Sequence, residues 1–267
     1  MLFPAIDPVF LRLGPLQFRW YGLMYVIGFL ASYFLIRNEA RRRKLSMDNE
    51  AVADFIFCLA LGVVLGGRLG YVLFYDLGSY LSNPLRIFAI WQGGMSFHGG
   101  LLGVAVAGLW YARRFQLPYL QLADLVALAA PVGLGLGRIG NFINGELFGR
   151  PTTMPWGMIF PDGGPLPRHP SQLYEALLEG VVLFFLVRFL ARRFQAPGTA
   201  IAAFLGGYGL FRFIVELFRQ PDSQLGLYWG FFSMGQLLSL PLFLAGGILL
   251  VWLNRRKSAS PAERLKV

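Results

Sequence analysis

Cysteine, histidine and lysine are scarce in this 267-residue chain: it has one cysteine, two histidines and three lysines. A lone Cys58 excludes an intrachain disulfide and any cysteine-based metal cluster. It lies inside an apolar run, where packing is its expected role. Charge is scarce too. Only 14% of residues are charged against 56% hydrophobic, with a mean hydropathy of +0.55, which excludes an ordinary soluble domain and leaves an integral membrane protein. No internal repeat or low-complexity tract suggests a duplicated transporter fold. Pro4, Asp7 and Pro8 precede the first apolar stretch where a signal peptide would carry a basic region, so that stretch is expected to be retained.

Acidic residues are outnumbered, 14 against 24 basic, for a net charge of +10. Such an excess can mark nucleic-acid binding. Here the basic residues form short clusters between apolar runs, as orientation signals do, and nucleic acid is not an expected partner.

A helix needs about 20 mostly apolar residues to cross the hydrocarbon layer. The sequence predicts an all-α polytopic membrane protein with about seven spans in one integral membrane domain, 1–267. The spans run approximately over 20–36, 51–74, 97–111, 120–136, 173–190, 199–217 and 235–253, the third being short. Basic clusters follow spans one (Arg37, Arg41, Arg42, Arg43, Lys44), three (Arg113, Arg114), five (Arg188, Arg192, Arg193) and seven (Arg255, Arg256, Lys257, Arg264, Lys266). The C-terminus is therefore expected in the cytoplasm and the N-terminus outside. Six tryptophans, Trp20, Trp91, Trp110, Trp156, Trp229 and Trp252, fall near span ends or in outer loops and suit the headgroup layer. The proline- and glycine-rich stretch 140–170 reads as an external non-helical cap between spans four and five, and Asp76 to Met95 as a candidate interfacial segment.

Three arginines, Arg68, Arg138 and Arg212, fall in the outer halves of spans. An ionisable group at that depth costs about 2.5 to over 10 kcal/mol unless it meets a partner, water or an anionic ligand. Arg138 stands in Gly137-Arg138-Ile139-Gly140-Asn141-Phe142-Ile143-Asn144-Gly145-Glu146-Leu147-Phe148-Gly149, where two asparagines and a glutamate also gather among glycines. Residues 135–140 match G-x-G-x-x-G, with Asp162 about twenty residues on, but no strand or βαβ unit precedes them, so a dinucleotide loop is rejected. The glycines alone would suit close helix packing; the polar residues beside them point to a binding site.

Gly93-Gly94-Met95-Ser96-Phe97-His98-Gly99-Gly100 opens span three. His98 could exchange a proton near neutral pH or serve as a helix-packing hydrogen-bond group. Ser96 beside it does not make a nucleophile pair, because i and i+2 positions on a helix point apart. In Tyr208-Gly209-Leu210-Phe211-Arg212-Phe213-Ile214-Val215-Glu216, Arg212 and Glu216 share a helix face and are expected to pair. Arg168-His169-Pro170-Ser171-Gln172-Leu173-Tyr174-Glu175 opens span five and reads mainly as architecture. Asp124 and Glu179 are buried acids that could pair with an arginine. Two other functions fit the arginines and Ser96: an anion path lined by Arg68, Arg138 and Arg212, and an intramembrane hydrolase using Ser96.

Together these residues closely resemble the bacterial prolipoprotein diacylglyceryl transferases. Residues 137–149 fit the family signature G-R-x-G-N-F-x-N-x-E-x-x-G at every fixed position. Trp20-Tyr21-Gly22, His98-Gly99-Gly100, His169-Pro170-Ser171-Gln172 and Tyr208 through Glu216 also look like family motifs, in order. The resemblance implies transfer of a diacylglyceryl group from phosphatidylglycerol to the lipobox cysteine thiol of a prolipoprotein in the bacterial inner membrane, releasing glycerol 1-phosphate and needing no cofactor or metal. It also implies catalytic roles for His98, Arg138 and Arg212, and substrate binding by Tyr21, Asn141, Glu146, Gly149, Tyr208 and Glu216.

Overall fold

The structure, a computed structural model, describes residues 1–4, 6–220, 228 and 231–258. Trp229, Arg264 and Lys266, named above as anchors and orientation signals, lie outside the described residues. The chain forms two compact units, one of Met1–Leu35 with Asp124–Val267 and the other of Ile36–Ala123.

The first unit opens on a hairpin that the all-α expectation lacks. Strands β1 (Val9–Leu13) and β2 (Leu16–Arg19) pair antiparallel around Gly14, whose φ of 59° only glycine adopts cheaply. Branched and aromatic residues favour the strands, and the ribbon is too short to leave an apolar run that would mark it. It leads into helix α1 (Trp20–Arg42). Helix α5 (Tyr119–Ile143) continues seven residues past the expected end of span four, so 140–143 is helix and not cap. Ile139, Phe142 and Ile143 keep that turn apolar, and Gly145, at φ 70°, lies just beyond it. Residues 144–170 form no helix and are held by isolated bridges, among them Gly149 to Arg219 and Pro151 to Arg168.

The fifth apolar stretch is helical but irregular: α6 (Ser171–Glu175), a π-helical segment Ala176–Val182, then α7 (Leu183–Phe194). Helix α8 (Thr199–Val215) follows, then α9 (Met234–Ser258). Lipid tails are as apolar as leucine, so these helices associate through close packing of small residues. Ala127, Leu128, Leu183, Val187, Ala191, Ala200 and Ala203 form one buried cluster of this unit. Asp124, fully buried, takes the N–H groups of Gly198 at 2.9 Å and Ile201 at 3.0 Å, capping α8 from a neighbouring helix. Ser233 and Gln236 cap α9 reciprocally: Gln236 N donates to Ser233 Oγ and Ser233 N donates to Gln236 Oε1.

In the second unit, helix α2 (Asn49–Phe74), capped by Asp48 at Ala51 N, packs on α4 (Phe97–Arg114). Gly62, Gly66 and Gly70 face Gly99 and Gly103 closely enough that no Cβ fits between them. A short helix α3 (Leu77–Ser82) and two 3-10 turns, Pro84–Phe88 and Ile90–Gln92, join the two long ones.

Among the described residues, four helices are long and apolar enough to cross a membrane: Trp20–Arg42, Asn49–Phe74, Tyr119–Ile143 and Met234–Arg255. Thr199–Val215 is apolar but shorter. Helix α4 ends in Arg113 and Arg114, and the fifth stretch carries Glu175, Glu179 and three arginines, which lowers their hydropathy. The protein is thus a helical membrane protein.

Candidate active site

The polar residues of the first unit gather where α5, α6 and α8 meet. Gly135 on α5 lies against Gly180, where an added Cβ would stand 2.8 Å from the Gly135 Cα. That close approach brings α5 and the segment 171–182 within ion-pair reach one turn later. Glu175, fully buried, accepts from Arg212 Nη1 at 2.8 Å and forms an ion pair with Arg138, whose Nε lies 2.8 Å away, both on Oε2. Arg212 Nη1 is also 3.7 Å from Glu179 Oε1, and Nη2 is 2.9 Å from Glu216 Oε2, the i,i+4 pair expected from sequence. Two guanidiniums therefore share a nest of three carboxylates, and removing one partner of such a buried pair costs about 3–5 kcal/mol. An added Cβ on Gly235 would stand 2.6 Å from the Glu216 carboxyl carbon, so glycine there makes room for the carboxylate at the start of α9.

Glu146, beyond the end of α5, accepts at Oε1 from Asn141 Nδ2 at 2.9 Å and Asn144 Nδ2 at 3.1 Å. Its own backbone carbonyl takes a hydrogen bond from Gln172 Nε2 at 2.6 Å, and the carbonyl of Leu147 one from Ser171 Oγ at 3.2 Å. The fully buried Ser171 and Gln172 thus hold the Glu146 loop against α6. The Tyr21 ring lies over Gly140, where a Cβ would meet its Cδ2 at 2.7 Å, and its hydroxyl is 3.0 Å from that of Tyr25. Tyr208 stacks on Phe204 with ring centres 5.8 Å apart, one turn before Arg212. Gly149 is enclosed by backbone: its N–H donates to His169 O at 2.8 Å, and an added Cβ would stand 2.8 Å from that oxygen. What the structure gives Gly149 is a packing role. His169, whose pKa burial pushes below its ordinary value, lies 3.1 Å through Nδ1 from the Tyr174 hydroxyl, which accepts from Trp156 Nε1 at 2.6 Å.

Arg138, Asn141, Glu146, Tyr21, Tyr208, Arg212 and Glu216 are therefore brought into one region of this unit. His98 belongs to the second unit, as an exposed residue in the first turn of α4, whose N-cap Ser96 accepts from Gly99 N at 3.2 Å. Ser96 has the work of a cap. Arg68, only 4% exposed, donates to the backbone carbonyls of Arg86, Ile87, Ala89, Gly93 and Gly94 and lies 5.2 Å from the Tyr80 ring centre. Its donors are committed to anchoring the segment between α2 and α4, which removes it from the expected anion path. Asp124 caps α8, and Glu179 approaches Arg212.

Sequence reasoning missed Glu175. The signal was present: Glu175 and Glu179, at i and i+4 in an apolar stretch, share a helix face and had no local cation to meet.

The profile of the prolipoprotein diacylglyceryl transferase family matches residues 8–252. A Geobacter sulfurreducens protein named phosphatidylglycerol–prolipoprotein diacylglyceryl transferase is 62% identical over 257 residues, covering 96% of this chain and 99% of its own. Proteins of the same name from Photobacterium profundum and Vibrio atlanticus are 54% and 53% identical, over 94% and 95% of this chain and 95% and 93% of theirs. With the signature residues gathered around a paired-arginine nest, the chain belongs to the prolipoprotein diacylglyceryl transferase family.

Proposed function

We propose that this protein transfers the diacylglyceryl group of phosphatidylglycerol to the lipobox cysteine thiol of prolipoproteins, the first step of bacterial lipoprotein maturation. The thiol loses its proton, sulfur attacks the glycerol CH₂ carbon, and the C–O bond to phosphate breaks to release glycerol 1-phosphate. The observation that carries the proposal is the pair Arg138 and Arg212 held on Glu175 beside the Asn141–Glu146 loop, in a chain whose named relatives are such transferases.

Charge builds on the departing phosphate, and guanidiniums stabilise it through charge-assisted hydrogen bonds. Arg138 and Arg212 supply them. His98 assists removal of the thiol proton, whose reference pKa near 8.5 leaves little thiolate at neutral pH without help. Asn141, Glu146 and Tyr21 orient the headgroup, Gly149 and Tyr208 complete the walls, and Glu216 positions Arg212. The finer topology belongs to the same proposal: one domain of about seven spans in the inner membrane, N-terminus outside, C-terminus cytoplasmic, with cap and active site on the external side. It rests on the basic clusters and the apolar stretches.

The test mixes purified protein with phosphatidylglycerol and a lipobox peptide and looks by mass spectrometry for diacylglycerol on the cysteine. A mass gain on cysteine, reduced in His98→Gln with an altered pH profile, is expected. No gain under conditions where both substrates bind would falsify the transfer; full activity with an unchanged profile in His98→Gln would remove that residue from the chemistry.

A further inference from the structure

Glu175 touches the two arginines in different ways. On Arg138 it takes Nε, the side edge of the guanidinium. The ion pair with Glu175 is closest at Nε, no hydrogen bond engages the two terminal nitrogens of Arg138 among the described residues, and its side chain is 20% exposed. Arg212 instead presents Nη1 to Glu175 and Glu179 and Nη2 to Glu216, so its terminal nitrogens are shared between these carboxylates and, in the proposed transfer, the phosphate. One carboxylate oxygen between two cations offsets their repulsion and fixes both in place. A guanidinium held by its edge keeps its planar fork free, and that fork matches two oxygens of a phosphate.

We propose that Glu175 is a positioning residue for the transfer reaction: it holds Arg138 by its Nε edge, backed by Arg212, and so aims the free fork of Arg138 at the lipid phosphodiester. The proposal rests on the transfer function given above. Arg212 anchors the opposite side of the same oxygen, with Glu216 and Glu179 neutralising its remaining charge. The Gly135–Gly180 contact lets Glu175 reach both cations without solvent between them. Misplacing a reacting or stabilising group by about 1 Å costs on the order of a hundredfold in rate, so the aim of Arg138 has a measurable value.

The experiment compares wild type, Glu175→Gln, Arg138→Lys and the double variant in the peptide assay, with thermal melting in detergent as the control for folding. Glutamine keeps the shape of Glu175 and removes its charge. A folded Glu175→Gln is expected to lose about tenfold to a hundredfold in kcat with a smaller change in KM for phosphatidylglycerol. Lysine has no edge for Glu175 to hold, so the double variant is expected to be no slower than the slower single one. Wild-type kcat in Glu175→Gln, or losses that multiply in the double variant, would overturn the positioning role. If Glu175→Gln does not fold, Glu175→Asp serves instead, since it keeps the charge but is too short to bridge both arginines; wild-type kcat in it overturns the proposal equally. Absence of transfer by wild type would count against the transfer function itself, a result distinct from any of these.

Discussion

At the scale of single residues, the arginines differ by what holds them. Arg68 spends its donors on carbonyl oxygens that Gly93 and Gly94, at φ of 82° and 78°, turn towards it, whereas Arg138 meets Glu175 closest at Nε and its terminal nitrogens make no hydrogen bond among the described residues. Charge alone is therefore not what Arg138 contributes. Arg138→Lys keeps the charge and loses the fork, and transfer is expected to fall about tenfold to a thousandfold, as removing one oriented donor does elsewhere. Wild-type turnover of that variant by mass spectrometry would tell against bidentate recognition. His169 offers a separate test in the cap. Burial lowers its pKa, so the neutral form is favoured in the folded protein. Its contribution to stability is complete above its ordinary value near 6.5 and is lost as the pH falls through and below that value. The melting temperature should drop on acidification from pH 7.5 to 5, and by less in His169→Gln; identical profiles would show that the imidazole does not contribute.

Elements were legible in sequence to the extent that local composition dictates them. Each of the seven apolar stretches contains helix, and prolines and glycines mark the irregular 144–170 segment, because apolar length and turn residues act locally. The β1–β2 hairpin escaped notice because its residues, such as Phe10, Leu13 and Phe18, read equally well as the approach to a span. The π segment Ala176–Val182 was not legible either, since it arises where Gly180 meets Gly135 from a distant helix. Likewise the Arg212–Glu216 pair follows from i,i+4 spacing, while Arg212 and Glu175 lie 37 positions apart and only folding joins them. Glycine contacts between helices are a testable case of such tertiary control. A Cβ on Gly103 would fall 2.9 Å from the Gly62 carbonyl carbon and 3.0 Å from the Gly66 Cα, both backbone atoms that cannot rotate aside. Gly103→Val is expected to cost about 1–3 kcal/mol by forcing α2 and α4 apart. A thermal melt of the variant matching wild type would mean that the helices separate freely.

For the whole molecule, orientation decides which face of the membrane the arginine nest serves, and the charge pattern makes a definite statement. Arg113 and Arg114 end α4, while Asp162 stands exposed in the irregular segment between α5 and α6. If basic clusters stay in the cytoplasm, these two positions lie on opposite sides. Cys58 is the sole cysteine, so Cys58→Ala gives a background in which one new thiol reports one position. A membrane-impermeant maleimide should label Asp162→Cys in intact cells and Arg113→Cys only after the membrane is opened. Labelling in the reverse order would invert the protein and put the arginine nest out of reach of a translocated lipobox cysteine. Equal labelling of both before permeabilisation would mean that the chain between them crosses an even number of times, which would overturn the proposed single crossing by α5.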